Sequence, residues 1–169
     1  MSNSPRSADI ESIDAIITAA YDVISGPVGK KRDWERERGL FWAGARLIPT
    51  ARVPGRNDVD LATGRVRPTG GLAPLMLDVE GYIERVEPIF AKSGFYEKEV
   101  ARRVEQFGRI AHVWSTYESR HDPNDPAPFM RGINSIQLFN DGSRWWILSI
   151  YWQHESPDHP IPEKYLERV

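Results

Sequence analysis

The sequence predicts one α+β domain whose helices lie against one face of an antiparallel sheet. Three observations carry this reading. Apolar residues recur at helical spacing as far as Phe90, four strand-like runs occupy Phe95 to His154, and Asp141-Gly142 joins the last two runs as a tight hairpin. At 169 residues the chain has the size of one domain. A chain of that length buries roughly 70 % of its unfolded surface and folds without staples.

In chain order, residues 1–7 are expected to be disordered, residues 8–155 to form the domain and residues 156–169 to form a tail. Ile10, Ile13, Ile17, Ala20, Tyr21 and Ile24 predict a first helix, capped by Ser7, with Asp9 and Glu11 in its first turn. Ser25-Gly26-Pro27 stops it. Asp33 caps a second helix, Trp34 to Phe41, that turns Trp34, Leu40 and Phe41 inward and leaves Glu35, Arg36, Glu37 and Arg38 wet. Gly44 to Thr50 reads as the first strand. Ala51 to Pro74, rich in Gly, Pro, Arg and Asp, is long for a connection without structure of its own, and Leu75-Met76-Leu77 is expected to pair back to the first strand. Asp78 caps a third helix with the stripe Val79, Tyr82, Ile83, Val86, Ile89 and Phe90, which Pro88 should kink or break near Glu87. Strands follow over Phe95 to Phe107, Arg109 to Ser119, Phe129 to Phe139 and Arg144 to His154, then a helical turn over Pro162 to Leu166.

A two-residue loop at Asp141-Gly142 sets the register of the last hairpin. It pairs Leu138 with Trp145, Ile136 with Ile147, Asn134 with Ser149 and Gly132 with Tyr151 on one face. That face is apolar near the turn and polar further out, as a core merging into a cavity would be. The opposite face then carries Trp146, Leu148, Ile150 and Trp152.

Composition removes several classes of function. Lys plus Arg number 22 against 24 Asp plus Glu, so there is no electrostatic case for nucleic acid or an anionic membrane. Cysteine is absent, which excludes disulfides and thiolate chemistry. The chain lacks a membrane-length apolar run and a signal-peptide pattern, so a soluble cytoplasmic protein is expected. His121 with Asp122, and His154 with Glu155 and His159, lack metal-site spacing, and no glycine-rich turn suits a phosphate. Neither metal nor cofactor is expected.

The first helix, Asp33-Trp34 before Leu40-Phe41, Leu77-Asp78 opening a helix with Tyr82-Ile83, Gly108-Arg109-Ile110-Ala111, and Asp141-Gly142-Ser143-Arg144-Trp145 through Tyr151-Trp152 occur in a specific order. Together, across residues 8–155, they resemble the SnoaL-like branch of the nuclear transport factor 2-like superfamily. The resemblance implies a strongly curved sheet wrapped around the helices as a cone, a pocket at its open end, and usually a homodimer. Ketosteroid isomerases, scytalone dehydratase and polyketide cyclases share that shape with members of no known activity, so it fixes no chemistry. It also implies that Ala111, Val113, Ser115 and Tyr117 are concave and His112 and Trp114 convex.

On this frame Tyr21, Trp34, Tyr117, Asn134, Ser149 and Tyr151 are the candidate pocket residues, suited to a hydrophobic small molecule bearing a carbonyl or hydroxyl. Trp114, Trp146, Leu148, Ile150 and Trp152 form a convex patch expected to bury itself in a homodimer. Acid–base chemistry needs a buried carboxylate or histidine poised near neutral pH. None is identified: Asp33 is explained as a cap, Asp58 and Asp60 lie in the long loop, and the catalytic residues stay unassigned. Two functions follow. One is a small-molecule binding domain with isomerase, cyclase or dehydratase activity; the other is a non-catalytic dimerisation or interaction domain whose cavity is vestigial.

Overall fold

The computed structural model describes residues 6–52, 57–59, 66–68 and 71–167; of Arg52 and of residues 57–59 and 66–68 only the backbone is described. Residues 1–5 of the expected disordered start lie outside this set, as does half of the long loop, Asp60 included. Three helices pack on one face of a six-stranded, curved sheet: α1 (Ile13–Ile24), α2 (Trp34–Leu40) and α3 (Val79–Phe90), with strands β1 (Phe41–Arg52), β4 (Leu72–Pro74), β5 (Tyr96–Phe107), β6 (Ile110–Arg120), β7 (Met130–Asn140) and β8 (Trp145–His154). A separate pair, β2 (Asn57–Val59) and β3 (Val66–Pro68), lies within the long loop. The sheet order is β4-β1-β8-β7-β6-β5, antiparallel throughout except for β1 beside β8.

Local chemistry explains the helix bounds. Ser12, not Ser7, caps α1: its hydroxyl accepts from the Ala15 amide, while Ser7–Asp9 forms a 3-10 turn. Asp9 there is ion-paired to Arg36 of α2 at 2.9 Å, which ties the chain start to the second helix. Asp33 and Asp78 cap α2 and α3 by accepting from Arg36 N and Gly81 N. Pro88 does not break α3. It lies in the last turn, where only one helical amide is lost, and the helix runs on to Phe90. Leu75 to Leu77 pairs back to β1 as expected, with Leu75 N donating to the Pro49 carbonyl and Leu77 exchanging two bonds with Leu47, and β4 starts the same pairing earlier, at Leu72.

The last hairpin departs from the expected register. Asp141 to Arg144 form a four-residue loop, because the Asp141 carboxylate accepts from Ser143 N, Ser143 Oγ and Arg144 N and leaves Asn140 opposite Trp145. Leu138 therefore faces Ile147, and the apolar side stays inward near the turn. Beyond it a bulge at Leu148 inserts one unpaired residue, so Gln137 pairs with Ser149 and Ile136 with Ile150. One extra residue reverses the parity of the rest of β8. Ile150 and Trp152 turn inward, and Ser149 and Tyr151 turn outward with Tyr151 45 % exposed. The β1–β8 register slips at the same level, between Phe41 and Arg46, where Gly44 takes a φ of +85°.

The core fills the space between helices and concave face: Ile16, Ile17 and Tyr21 of α1, Leu40, Ala111, Val113 and Tyr117 of β6, and Ile136, Leu138 and Ile147. The expected parity of β6 is observed, with Ala111, Val113, Ser115 and Tyr117 buried and Trp114 on the other side. The tail crosses the convex side of β5 and β6: Thr116 Oγ1 donates to the Tyr165 carbonyl, Arg103 donates to the Lys164 carbonyl, and Trp114 packs on the Tyr165 ring at 5.6 Å.

Candidate functional site

A cavity of about 730 Å³ opens between the three helices and the concave face. Each element supplies part of its wall: Tyr21 from α1, Glu37 from α2, Tyr82 from α3, Glu97 from β5, Tyr117 from β6, Asn134 from β7, and Ile150, Trp152 and His154 from β8. Most of the surface between these groups is aromatic or aliphatic, including Phe90, Phe95 and Ile136. Of the expected pocket residues, Tyr21, Tyr117 and Asn134 line the cavity. Trp34 does not: it is buried behind the wall, where its indole donates to Glu87 at 3.1 Å and stacks on Phe90. Ser149 and Tyr151 are carried to the convex side by the Leu148 bulge. The same bulge moves Ile150 and Trp152 from the expected outer patch into the cavity, while Trp114, Trp146 and Leu148 remain outside.

Two carboxyls missed in the sequence dominate the electrostatics. Glu37 is 2 % exposed, and its Oε2 has no hydrogen-bond partner among the described residues. Burial pushes this carboxyl up to about 8, opposed only by the adjacent Arg36 charge. Glu97 reaches the cavity from β5, and its carboxylate accepts from Ser119 Oγ at 2.8 Å. Burial raises it to about 7, against the lowering effect of that bond. Tyr82 sits in the field of both carboxyls, and desolvation with those two charges holds its phenol well above the ordinary value. The face of α2 could have exposed Glu37 to view: it is three residues from both Trp34 and Leu40, inside one helical stripe. Glu97 likewise shares strand parity with Phe95.

Two hydrogen-bonded sets flank the carboxyls. Tyr117 Oη lies 2.8 Å from His154 Nδ1, and burial lowers the imidazole, which favours its neutral form. Gly132 makes this approach possible, since a Cβ there would lie 2.5 Å from Tyr117 Oη. On the other side Tyr21 Oη contacts Ser115 Oγ at 2.7 Å and accepts from Asn134 Nδ2 at 3.0 Å, and Ser115 donates on to Glu99. The site thus holds acids that can exchange protons near neutral pH, beside fixed polar groups, in a mostly apolar chamber. No group of three or more His, Cys, Asp or Glu residues with metal-binding geometry occurs among the described residues.

No family model and no curated protein matches the chain. Solved structures do. An NTF-2 like protein of unknown function from Silicibacter pomeroyi superimposes with a TM-score of 0.52 at 14 % identity, covering 85 % of this chain and 92 % of that one. The Kfla4162 protein of Kribbella flavida gives 0.55 at 11 % identity, over 85 % and 88 % of the two chains. A candidate ketosteroid isomerase from Parabacteroides distasonis gives 0.52 at 11 % identity, over 93 % and 98 %. At these identities the likeness concerns the fold, which is the NTF2-like α+β cone. No helix among the described residues is long and apolar enough to cross a membrane.

Proposed function

We propose that the cavity binds a hydrophobic small molecule bearing a carbonyl or hydroxyl oxygen, that Glu97 moves protons from and to its carbon, and that Glu37 donates a hydrogen bond to its oxygen. The observation that carries this reading is the pair of carboxyls that line the one chamber, Glu37 from α2 and Glu97 from β5, both raised toward neutrality by burial. Near pH 7 Glu97 is about half ionised and can take a proton from carbon next to a carbonyl. Glu37 keeps its proton and can donate a hydrogen bond to the oxygen that gains charge. Isomerisation, cyclisation and dehydration of apolar oxygen compounds all use this proton traffic. A vestigial chamber would be filled by side chains, whereas this one keeps about 730 Å³ of space.

The test is hydrogen exchange in a bicyclic ketone. Incubated with the protein in D2O, decalone should take up deuterium beside its carbonyl, and Glu97→Gln should slow the uptake on the order of 100-fold or more. Uptake equal to that in buffer alone refutes the reading. The chain is also proposed to pair with a second copy through the convex face. In support, Phe107 (84 % exposed), Ile110 (58 %) and Trp42 (43 %) are apolar, and Trp42 packs edge-on against Phe139 and Trp146 in one aromatic band.

A further inference from the structure

We infer that Asn134 is an acceptor for a substrate hydroxyl, so that the cavity takes hydroxyketones in preference to the matching diketones. The inference rests on the small-molecule reading above and specifies its substrate class. It follows from counting protons along the hydrogen-bonded chain that begins at Arg102.

Arg102 donates to both oxygens of Glu99, from Nε at 2.9 Å and from Nη2 at 2.6 Å. A carboxylate paired with a guanidinium can only accept, so the single hydroxyl proton of Ser115 goes to Glu99 Oε1. Ser115 Oγ then meets Tyr21 Oη as an acceptor, and the Tyr21 proton is committed to it. Tyr21 Oη has no proton left for Asn134 and must accept from it, which assigns the amide nitrogen to the Tyr21 side. Ser115 is fully buried and Tyr21 and Asn134 nearly so, and the direction of the chain is set by Glu99 and Arg102 at its far end. Asn134 Oδ1 is left on the cavity wall without a hydrogen bond from any described residue. An amide oxygen that faces the cavity accepts from an O–H donor of the ligand, and a carbonyl oxygen placed against it sets lone pair against lone pair.

The polarity of this chain is thus a specificity device. Asn134 contacts the ligand, while Ser115, Tyr21 and Glu99 act through it as positioning residues. A site built to receive a hydroxyl rejects the analogue lacking it, because its own polar group is then left unpaired.

The test compares binding of a decalin hydroxyketone with the decalin diketone carrying oxygens on the same two carbons, by calorimetry on the full chain. The hydroxyketone should bind on the order of tenfold tighter to the parent protein. Ser115→Ala frees the Tyr21 proton to turn toward Asn134, lets the amide flip, and should reduce the preference to within about threefold. Tyr21→Phe removes the contact altogether and should do the same, which covers the case in which one variant fails to fold. Equal or tighter binding of the diketone to the parent protein overturns the inference while leaving the pocket reading standing. An unchanged preference in a folded Ser115→Ala or Tyr21→Phe protein also overturns it. Binding of neither probe overturns both readings together.

Discussion

Glu37→Gln measures what it costs to hold a carboxyl in the cavity wall. An unfolded glutamate titrates near 4.5, and Glu37 in the fold is pushed up to about 8. Between those values the folded chain binds more protons than the unfolded one, so this group makes stability fall as pH rises. The stabilising effect of the neutral form is complete below 4.5 and is lost as pH passes through about 8. The full excursion corresponds to about 5 kcal/mol between pH 4 and pH 9. Glutamine keeps the shape and cannot ionise. The variant should match the parent within about 1 kcal/mol at pH 4.5 and exceed it by about 2–5 kcal/mol at pH 9, the lower figure applying if water enters the chamber to meet the charge. Glu97 titrates in both proteins and cancels in the difference. Urea unfolding followed by tryptophan fluorescence across this range reads it directly, provided the m-value is unchanged. A difference that does not vary with pH refutes the argument, since it means Glu37 ionises in the fold as it does in the open chain.

Three further outcomes are expected. Gly132→Ala should cost about 1–3 kcal/mol in urea unfolding, because a methyl group there would lie 2.5 Å from both Tyr117 Oη and the Gln153 carbonyl; no loss would show that the two strands separate freely. Deleting Leu148 should leave the protein folded by circular dichroism, because Ser149 already pairs with Gln137 and Ile150 with Ile136, so losing the unpaired residue keeps Ile150 and Trp152 inward. An unfolded deletion variant would mean that the bulge itself is needed to fit β8 against β1. Trp42→Glu should halve the mass seen by light scattering if the convex face joins two copies, and an unchanged mass excludes that band as the contact.

Most of the helices and the four late strands were readable because each rests on a short-range rule that nothing in the fold overrides. The Asp33 and Asp78 caps, the stripes of α1 and α3, and the alternation along β6 are of this kind. The site was less readable, for two physical reasons. Leu148 is an ordinary strand residue, and its bulge depends on how β8 must fit β7 and β1 together, which no local pattern records. From that one residue came the misplacement of Ser149, Tyr151, Ile150 and Trp152. Glu37 was missed because its charge outweighed its position. The stripe from Trp34 to Leu40 points it inward, but the usual penalty for burying a carboxyl argues for water. A cavity able to keep that carboxyl neutral is a property of the assembled fold.

The parallel pairing of β1 with β8 bears on how the chain is assembled. Thr50 Oγ1 donates to the Trp152 carbonyl across 102 positions of sequence, and β4 in turn leans on β1. The antiparallel run from β5 to β8 can zip hairpin by hairpin, but β1 and β4 have no place in the six-stranded sheet until residues 145–154 are available. Such distant pairing is slow to form. During synthesis on the ribosome the early helices and β1 must therefore wait with apolar surface uncovered. That makes the front half of the chain the part most in need of a chaperone, and the closing of β1 onto β8 the step to look for in refolding kinetics.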